Sequence, residues 1–473
     1  MGPNNVVEPS SAASPWGDES WVAHAVLGWA ENRAVSASDP KNTARPASEL
    51  TLEIGETITP QGIGGQRAMS IFSNILAKAT RAQDDPLNLA YIPAAPTRAA
   101  VAFDAATSAA NIFAGTWEAG AGAIWAENQA LAWLIRLLQW PSTAEGVFVS
   151  GGTTGNLSAM HAARETARRR RVEAGLPPRP ATGWRMACAE TAHSSIFSAA
   201  RVLDVELVPL PVNEERRLTG AALTAALDEL EEPESLFAVV ASAGSTNAGI
   251  VDDLASLADV TTEQGIWLHV DGAYGGAGLC APTIRPLYRG IERAQSMIVD
   301  PHKWLFAPYD CCALVYRNGA DARAAHAQHA SYLDSIDREE PNPTDLAIHL
   351  SRRARGLPLW FSLATHGTDA YTAAVERTVA IAREVARGIR DLWHLKLLRE
   401  PDLTVLLFTR QGWSPERYHE WSRNMSHEGE ILCVPTVYEG ETVLRLAFVN
   451  PATDPQQVLR RLTAEAMPEV APY

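Results

Sequence analysis

Three short segments bring together residues whose types and order suit chemistry. The first is Gly151-Gly152-Thr153-Thr154-Gly155-Asn156, which follows the apolar run GVFVS (146–150) and opens the helical stretch LSAMHAARETARRRR. Glycines let a backbone approach a ligand closely, and free amides at a helix start, with the Thr153 hydroxyl, suit a phosphate. The same run also serves as a plain tight turn, and its spacing is neither a P-loop nor GxGxxG. The second is Asp271, at the end of IWLHV and ahead of Gly272-Ala273-Tyr274-Gly275-Gly276. A carboxylate there needs a cationic partner if it is buried, or else caps a turn or helix. The third is Lys303 in Asp300-Pro301-His302-Lys303-Trp304-Leu305-Phe306. Lysines normally line solvated faces, and desolvation between apolar segments is expected to lower the pKa of this one and make it a usable amine nucleophile.

The three segments are sharper together than apart. A phosphate cradle, an acidic strand end and a lysine 32 residues beyond it meet the three demands of pyridoxal phosphate. Its phosphate must be held, its ring nitrogen kept protonated by a carboxylate, and its aldehyde condensed with a lysine amine.

The elements that must position these residues alternate along the chain. Between about 99 and 358, β-rich runs such as GVFVS, LFAVVAS (236–242), IWLHVD (266–271), MIVD (297–300) and CALVYR (312–317) are separated by Ala-rich helical stretches. This predicts an α/β fold with a mostly parallel sheet covered by helices, whose ligands sit beyond the carboxyl ends of the strands. Residues 1–98 read as helices and connectors. Trp21, Val22, Val26 and Trp29 form a stripe that must be covered by this chain or by a partner subunit. Residues 359–473, with a long helix over roughly 367–391, the runs LTVLLFTR (403–410) and VLRLAFVN (443–450), and a helix after Pro415, read as a small α+β domain.

Composition excludes several alternatives. Apolar residues make up 46% of 473, enough for a large core, and a net charge of −15 argues against nucleic acid or an anionic membrane as the main partner. The best candidate for a spanning helix, ALAWLIRLLQW, carries Arg136 in its middle, and the first residues lack the basic and apolar regions of a signal peptide. Five cysteines (Cys188, Cys280, Cys311, Cys312 and Cys433) without a CxxC spacing point to a reducing cytoplasm and to no metal site.

The motifs SGGTTGNLSAM, AHSSI, HVDGAYGG and VDPHKWLFAPYDCCALVYR resemble the group II pyridoxal-phosphate amino-acid decarboxylases, which include the aromatic-L-amino-acid, histidine and glutamate decarboxylases. The resemblance covers roughly residues 80 to 365. It implies fold type I with a seven-stranded-type sheet, an N-terminal helical segment swapped over the partner, and an obligate homodimer with active sites at the interface. It assigns Lys303 to the cofactor aldehyde, Asp271 to the pyridine nitrogen, Ala273 beneath the ring and His193 stacked on its other face; alone, His193 reads as a core histidine. Gly152, Thr153 and His302 match phosphate contacts, Thr246 matches a cofactor-contacting threonine, and Tyr332 matches a loop tyrosine that protonates Cα. Thr154 and Asp300 depart from the residues many relatives carry, Glu and Asn.

For the substrate, the resemblance sets Tyr91, Ile92 and Pro93 near the side chain and brings Phe113 from the partner subunit. Apolar and aromatic walls suit an aromatic amino acid. Ser351 aligns with a position where Gly makes room for an indole and Ser narrows the pocket. The ranking is tyrosine or dopa, then tryptophan or phenylalanine, then histidine. A glutamate or aspartate substrate needs a placed cation, for which Arg98 is the nearby candidate. Other fold-type I lyases, aminotransferases and a non-catalytic pyridoxal-phosphate-binding protein are the remaining alternatives.

Overall fold

The computed structural model describes residues 20–327, 340 and 342–463. The chain divides into two compact units, one ending at Ala82 and one beginning at Gln83. In the first, a helix over Ser20–Val35 packs on another over Gly65–Ile71. Trp29 meets Phe72 edge to face with 4.8 Å between ring centroids, so part of the expected aromatic stripe is covered within its own unit.

The second unit holds a seven-stranded sheet. Its strands are β1 (Glu145–Val149), β2 (Arg185–Ala189), β3 (Glu206–Leu210), β4 (Leu236–Ser242), β5 (Trp267–Asp271), β6 (Ser296–Val299) and β7 (Cys312–Tyr316). They lie in the order β1-β7-β6-β5-β4-β2-β3, and only β7 runs against the rest. Every residue of β4 is buried, which is why LFAVVAS is apolar without alternation: both of its faces are covered. Ala238 and Val240 join the core on one face, with Ala159, Met160 and Ala163 of the helix over Gly152–Glu173. Val239 and Ala241 join the other, with Leu131, Trp133 and Leu134 of the helix over Trp117–Leu138. Register aligns Ser242 with Asp271 and Asp271 with Ile298, so three neighbouring strands end level and present their next residues along one edge.

A second, antiparallel sheet follows. It comprises β8 (Leu395–Leu397), β9 (Val405–Arg410), β10 (Val434–Tyr438) and β11 (Glu441–Ala447), in the order β10-β11-β9-β8. Period-2 alternation splits β11 between two faces. Leu444 and Leu446 pack under the helices over Thr368–Asp391, Pro415–His427 and Pro455–Thr463, whereas Val443 packs with Ala248 and Ile250 from the loop after β4. Residues 83–98 belong with this unit: the Leu89 amide donates to the Leu432 carbonyl, and Thr97 to that of Phe306.

Candidate active site

Beyond the carboxyl ends of β1, β4, β5 and β6 lies a cavity of about 590 Å³. Its wall at β1 is the turn into the helix over Gly152–Glu173. Among the described residues no side chain caps that helix, and none accepts from its first-turn amides. A Cβ at Gly152 would sit 3.1 Å from Ile298 Cδ1, 3.3 Å from Asp300 Oδ2 and 3.4 Å from Ala273 Cβ; glycine alone leaves that gap open. The Thr154 hydroxyl lies 3.1 Å from that of Ser150.

Lys303 follows β6 in a single helical turn, Pro301–Trp304, and its side chain is 27% exposed. Its Nζ is 2.8 Å from Oδ2 of the buried Asp300, and His302 Nε2 is 3.6 Å from the same oxygen. Burial does pull the lysine downward, as the sequence implies. The charge and hydrogen bond of Asp300, with the charge of Asp271, outweigh it, and the pKa ends above the ordinary lysine value. The expectation of a desolvation-lowered amine is therefore corrected: in the chain by itself, Lys303 is held as the ammonium. Burial lowers His302, partly offset by Asp300.

Asp271 ends β5 with both oxygens engaged. Oδ1 accepts from the Ala273 amide at 3.1 Å, and Oδ2 accepts from Asn156 Nδ2 at 2.9 Å. Asp271 thus holds the turn while also lining the cavity. His193 caps the helix over Ser194–Leu203, its Nδ1 accepting from the Ser195 amide at 3.2 Å; its exposed ring lines the cavity, which excludes the core reading.

Gly152, Thr153, His193, Thr246, Asp271, Ala273, His302 and Lys303 all line this one cavity, as do Tyr91 and Ile92. Pro93 is buried outside the lining. Phe113, 39% exposed, forms a bridge with Arg353 next to the exposed Ser351, and neither of the two expected substrate residues lines the cavity of this chain. Arg98 opens another helix away from the lining, and Tyr332 lies outside the described residues.

Among the lining residues given no role by the sequence are Tyr309, Asn156, Thr436 and Arg445. Tyr309 packs its ring 4.7 Å from that of His302. Asn156 and Thr436 contribute amide and hydroxyl groups. Arg445, on the face of β11 that meets the loop after β4, is buried and donates to the carbonyls of Tyr91 (2.8 Å), Thr246 (2.7 Å) and Asn247 (3.2 Å). Burial lowers its pKa. Its signal was an arginine interrupting the apolar run VLRLAFV, the same anomaly that exposed Lys303.

The fold and this site define a pyridoxal-phosphate enzyme of the α/β class. Residues 65–411 match the model of the pyridoxal-dependent decarboxylase conserved domain, and the chain belongs to that family. It is 28% identical to the aromatic-L-amino-acid decarboxylase of Bacillus atrophaeus over 437 residues, 88% of this chain and 89% of that one. It is 30% identical to the L-2,4-diaminobutyrate decarboxylase of Rhizobium meliloti (strain 1021) over 391 residues, 80% of this chain and 77% of that one. The solved structure of Oryza sativa TDC with PLP and tryptamine superposes with a TM-score of 0.86 at 23% identity, covering 97% of this chain and 100% of that one, a likeness of fold. The protein is a pyridoxal-phosphate-dependent amino-acid decarboxylase of fold type I.

The residues present fit that cofactor: a lysine amine, a carboxylate with both oxygens fixed, an uncapped helix start and a gap that a side chain at Gly152 would fill. When bound, the group supplies a cationic ring that accepts the electrons of the breaking Cα–carboxylate bond. No helix among the described residues is long and apolar enough to cross a membrane.

Proposed function

We propose that this decarboxylase acts on an aromatic L-amino acid, tyrosine or dopa first and tryptophan or phenylalanine next, releasing the amine and CO2. The observation that carries the reading is the single cavity in which Lys303, Asp271 and His193 meet a wall containing Tyr91, Ile92, Tyr309, Val434 and Pro435. Among the described residues, Asp271 and Asp300 are the only carboxylates in the lining, and both act on Lys303. A diamino acid thus finds no separate anion for its second ammonium in this chain's wall. Arg445 favours one alternative, an acidic substrate, because it is the placed cation such a substrate needs. Three of its five N–H groups are committed to main-chain carbonyls, which argues for a structural role.

In this reading Lys303 holds the cofactor and Asp271 keeps its ring nitrogen protonated. His193 lies on one ring face and Ala273 on the other, while Gly152, Thr153 and His302 hold the phosphate and Thr246 contacts the cofactor. Tyr332 delivers a proton to Cα. The assembly is a homodimer in which the partner subunit's Phe113 completes the pocket and Ser351 limits its size. A reducing cytoplasm suits the five free cysteines, all buried. The three-part organisation 1–98, 99–358 and 359–473 belongs to the same reading.

The test is a panel of the twenty standard amino acids together with dopa and 2,4-diaminobutyrate, scored for CO2 and amine. Tyrosine or dopa giving the highest kcat/KM supports the proposal, and a preference for glutamate or 2,4-diaminobutyrate removes it. Ser351→Gly is expected to shift preference towards tryptophan; an unaltered ratio would show that Ser351 does not set the pocket size.

A further inference from the structure

A chain of hydrogen bonds, buried through its middle, connects the two residues assigned to the cofactor ring. Trp267 Nε1 donates to Ser296 Oγ at 2.8 Å, and Ser296 Oγ lies 2.8 Å from His269 Nδ1. His269 Nε2 lies 2.9 Å from Asn156 Oδ1. Asn156 Nδ2 then reaches Asp271 Oδ2 at 2.9 Å and Ser195 Oγ at 3.0 Å, and Ser195 Oγ lies 2.8 Å from His193 Nδ1. Trp267, Ser296, His269, Asn156 and Ser195 are all buried, and none of their polar side-chain atoms lacks a partner.

The direction of every bond follows from the two ends. An indole N–H can only donate, and the carboxylate of Asp271 can only accept. Asn156 therefore turns its amide nitrogen to Asp271 and its oxygen to His269, which must donate from Nε2. Burial pulls His269 down to about 4, so it carries one proton, and its Nδ1 accepts from the Ser296 hydroxyl. Asn156 spends its second N–H on Ser195, whose own O–H is left for His193 Nδ1. That nitrogen also accepts the Ser195 amide, so it is an acceptor twice over.

We propose that Asn156 is a positioning residue for the decarboxylation: its one amide holds Asp271 as an acceptor and, through the Ser195 hydroxyl, orients the His193 ring by a second donor to Nδ1. Both groups assigned to the cofactor ring are then oriented by one relay anchored at Trp267. The inference rests on the reading that Asp271 and His193 flank that ring. Without the relay, His193 Nδ1 would keep only the Ser195 amide at 3.2 Å, and Asp271 would lose a donor in a partly buried site, where such bonds weigh more than in water.

Substitutions along the relay test this through pyridoxal-phosphate affinity, the visible spectrum of the bound cofactor and the kcat–KM split, with the Tm of the cofactor-free chain as the check on folding. Asn156→Leu and His269→Leu are expected to weaken cofactor binding about tenfold or more and to shift the visible band. His269→Gln supplies an amide N–H where Nε2–H stood and is expected to recover most of the loss. Ser195→Ala removes the hydroxyl bond to His193 Nδ1 while keeping the main-chain amide bond to it and the bond from Asn156 to Asp271, so the spectrum and kcat are expected to change while KM and cofactor affinity hold. Wild-type affinity and spectrum in Asn156→Leu overturn the proposal, as does failure of His269→Gln to improve on His269→Leu at equal Tm. Asp271→Ala separates the two levels: if it keeps cofactor affinity, the assignment of Asp271 to the ring has failed. If it loses affinity while Asn156→Leu does not, only the relay has failed.

Discussion

At the residue scale, Lys303 and Asp300 form a pair that works against the lysine's own nucleophilicity. An ammonium cannot attack an aldehyde, and Asp300, 2.8 Å away and buried, favours the ammonium. The sign is that of a raised base: the pair contributes fully below the ordinary lysine value of 10.5 and is lost as pH rises through the raised one. Asp300→Asn is therefore expected to speed cofactor uptake by the cofactor-free chain at about neutral pH, each unit of lowered pKa giving about ten times more free amine. Stopped-flow absorbance reads this directly; uptake no faster than wild type would show that Asp300 does not restrain the amine. Tyr332 makes a second prediction at this scale. Tyr332→Phe is expected to lose amine while gaining aldehyde and peroxide with uptake of O2, and an unchanged product profile would refute its role as proton donor to Cα.

At the scale of elements, the strand ends and the helix start do the positioning. β4, β5 and β6 end level, and the next residue of each strand, or the loop after it, enters the cavity. The helix over Gly152–Glu173 points its uncapped start at the same place. A side chain at Gly152 would press on Ile298, Asp300 and Ala273, so Gly152→Val is expected to weaken cofactor binding at least tenfold while leaving the Tm of the cofactor-free chain within a few degrees. Equal affinity in the variant would remove the close-approach argument. These elements were legible because long apolar strands end in chemically anomalous residues: GVFVS before the glycines, IWLHV before Asp271, MIV before Asp300 and Lys303. Several elements that were not singled out have weak local signals. β8 has three residues, β10 carries Pro435 at its sheet edge, and β3 carries Pro209 at the other sheet's edge. Their strand character comes from pairing rather than pattern. The Asn156 relay and the reach of Arg445 to three distant carbonyls depend on tertiary proximity, to which sequence spacing is blind.

At the scale of the whole molecule, the two expected pocket residues that miss this chain's cavity matter most. Phe113 and Ser351 sit together by the bridge to Arg353, outside the lining, while Tyr91 and Ile92 lie inside it. The homodimer with shared pockets proposed above would account for the separation. It predicts intersubunit complementation: Lys303→Ala and Phe113→Ala chains, each impaired alone, are expected to regain activity when co-expressed, because the mixed dimer contains one pocket with both residues intact. Activity no greater than that of the two variants measured separately would place Phe113 in its own chain's site or in none.

The central claim is that Lys303 is the amine that holds the cofactor, and trapping tests it most directly. The purified protein is incubated with pyridoxal phosphate, reduced with borohydride, digested and mapped by mass spectrometry. The cofactor mass is expected on the peptide containing Lys303, at one per chain, and absent from Lys303→Ala. A cofactor mass on a different lysine, or none on a protein that still releases CO2 from an amino acid, would contradict the account.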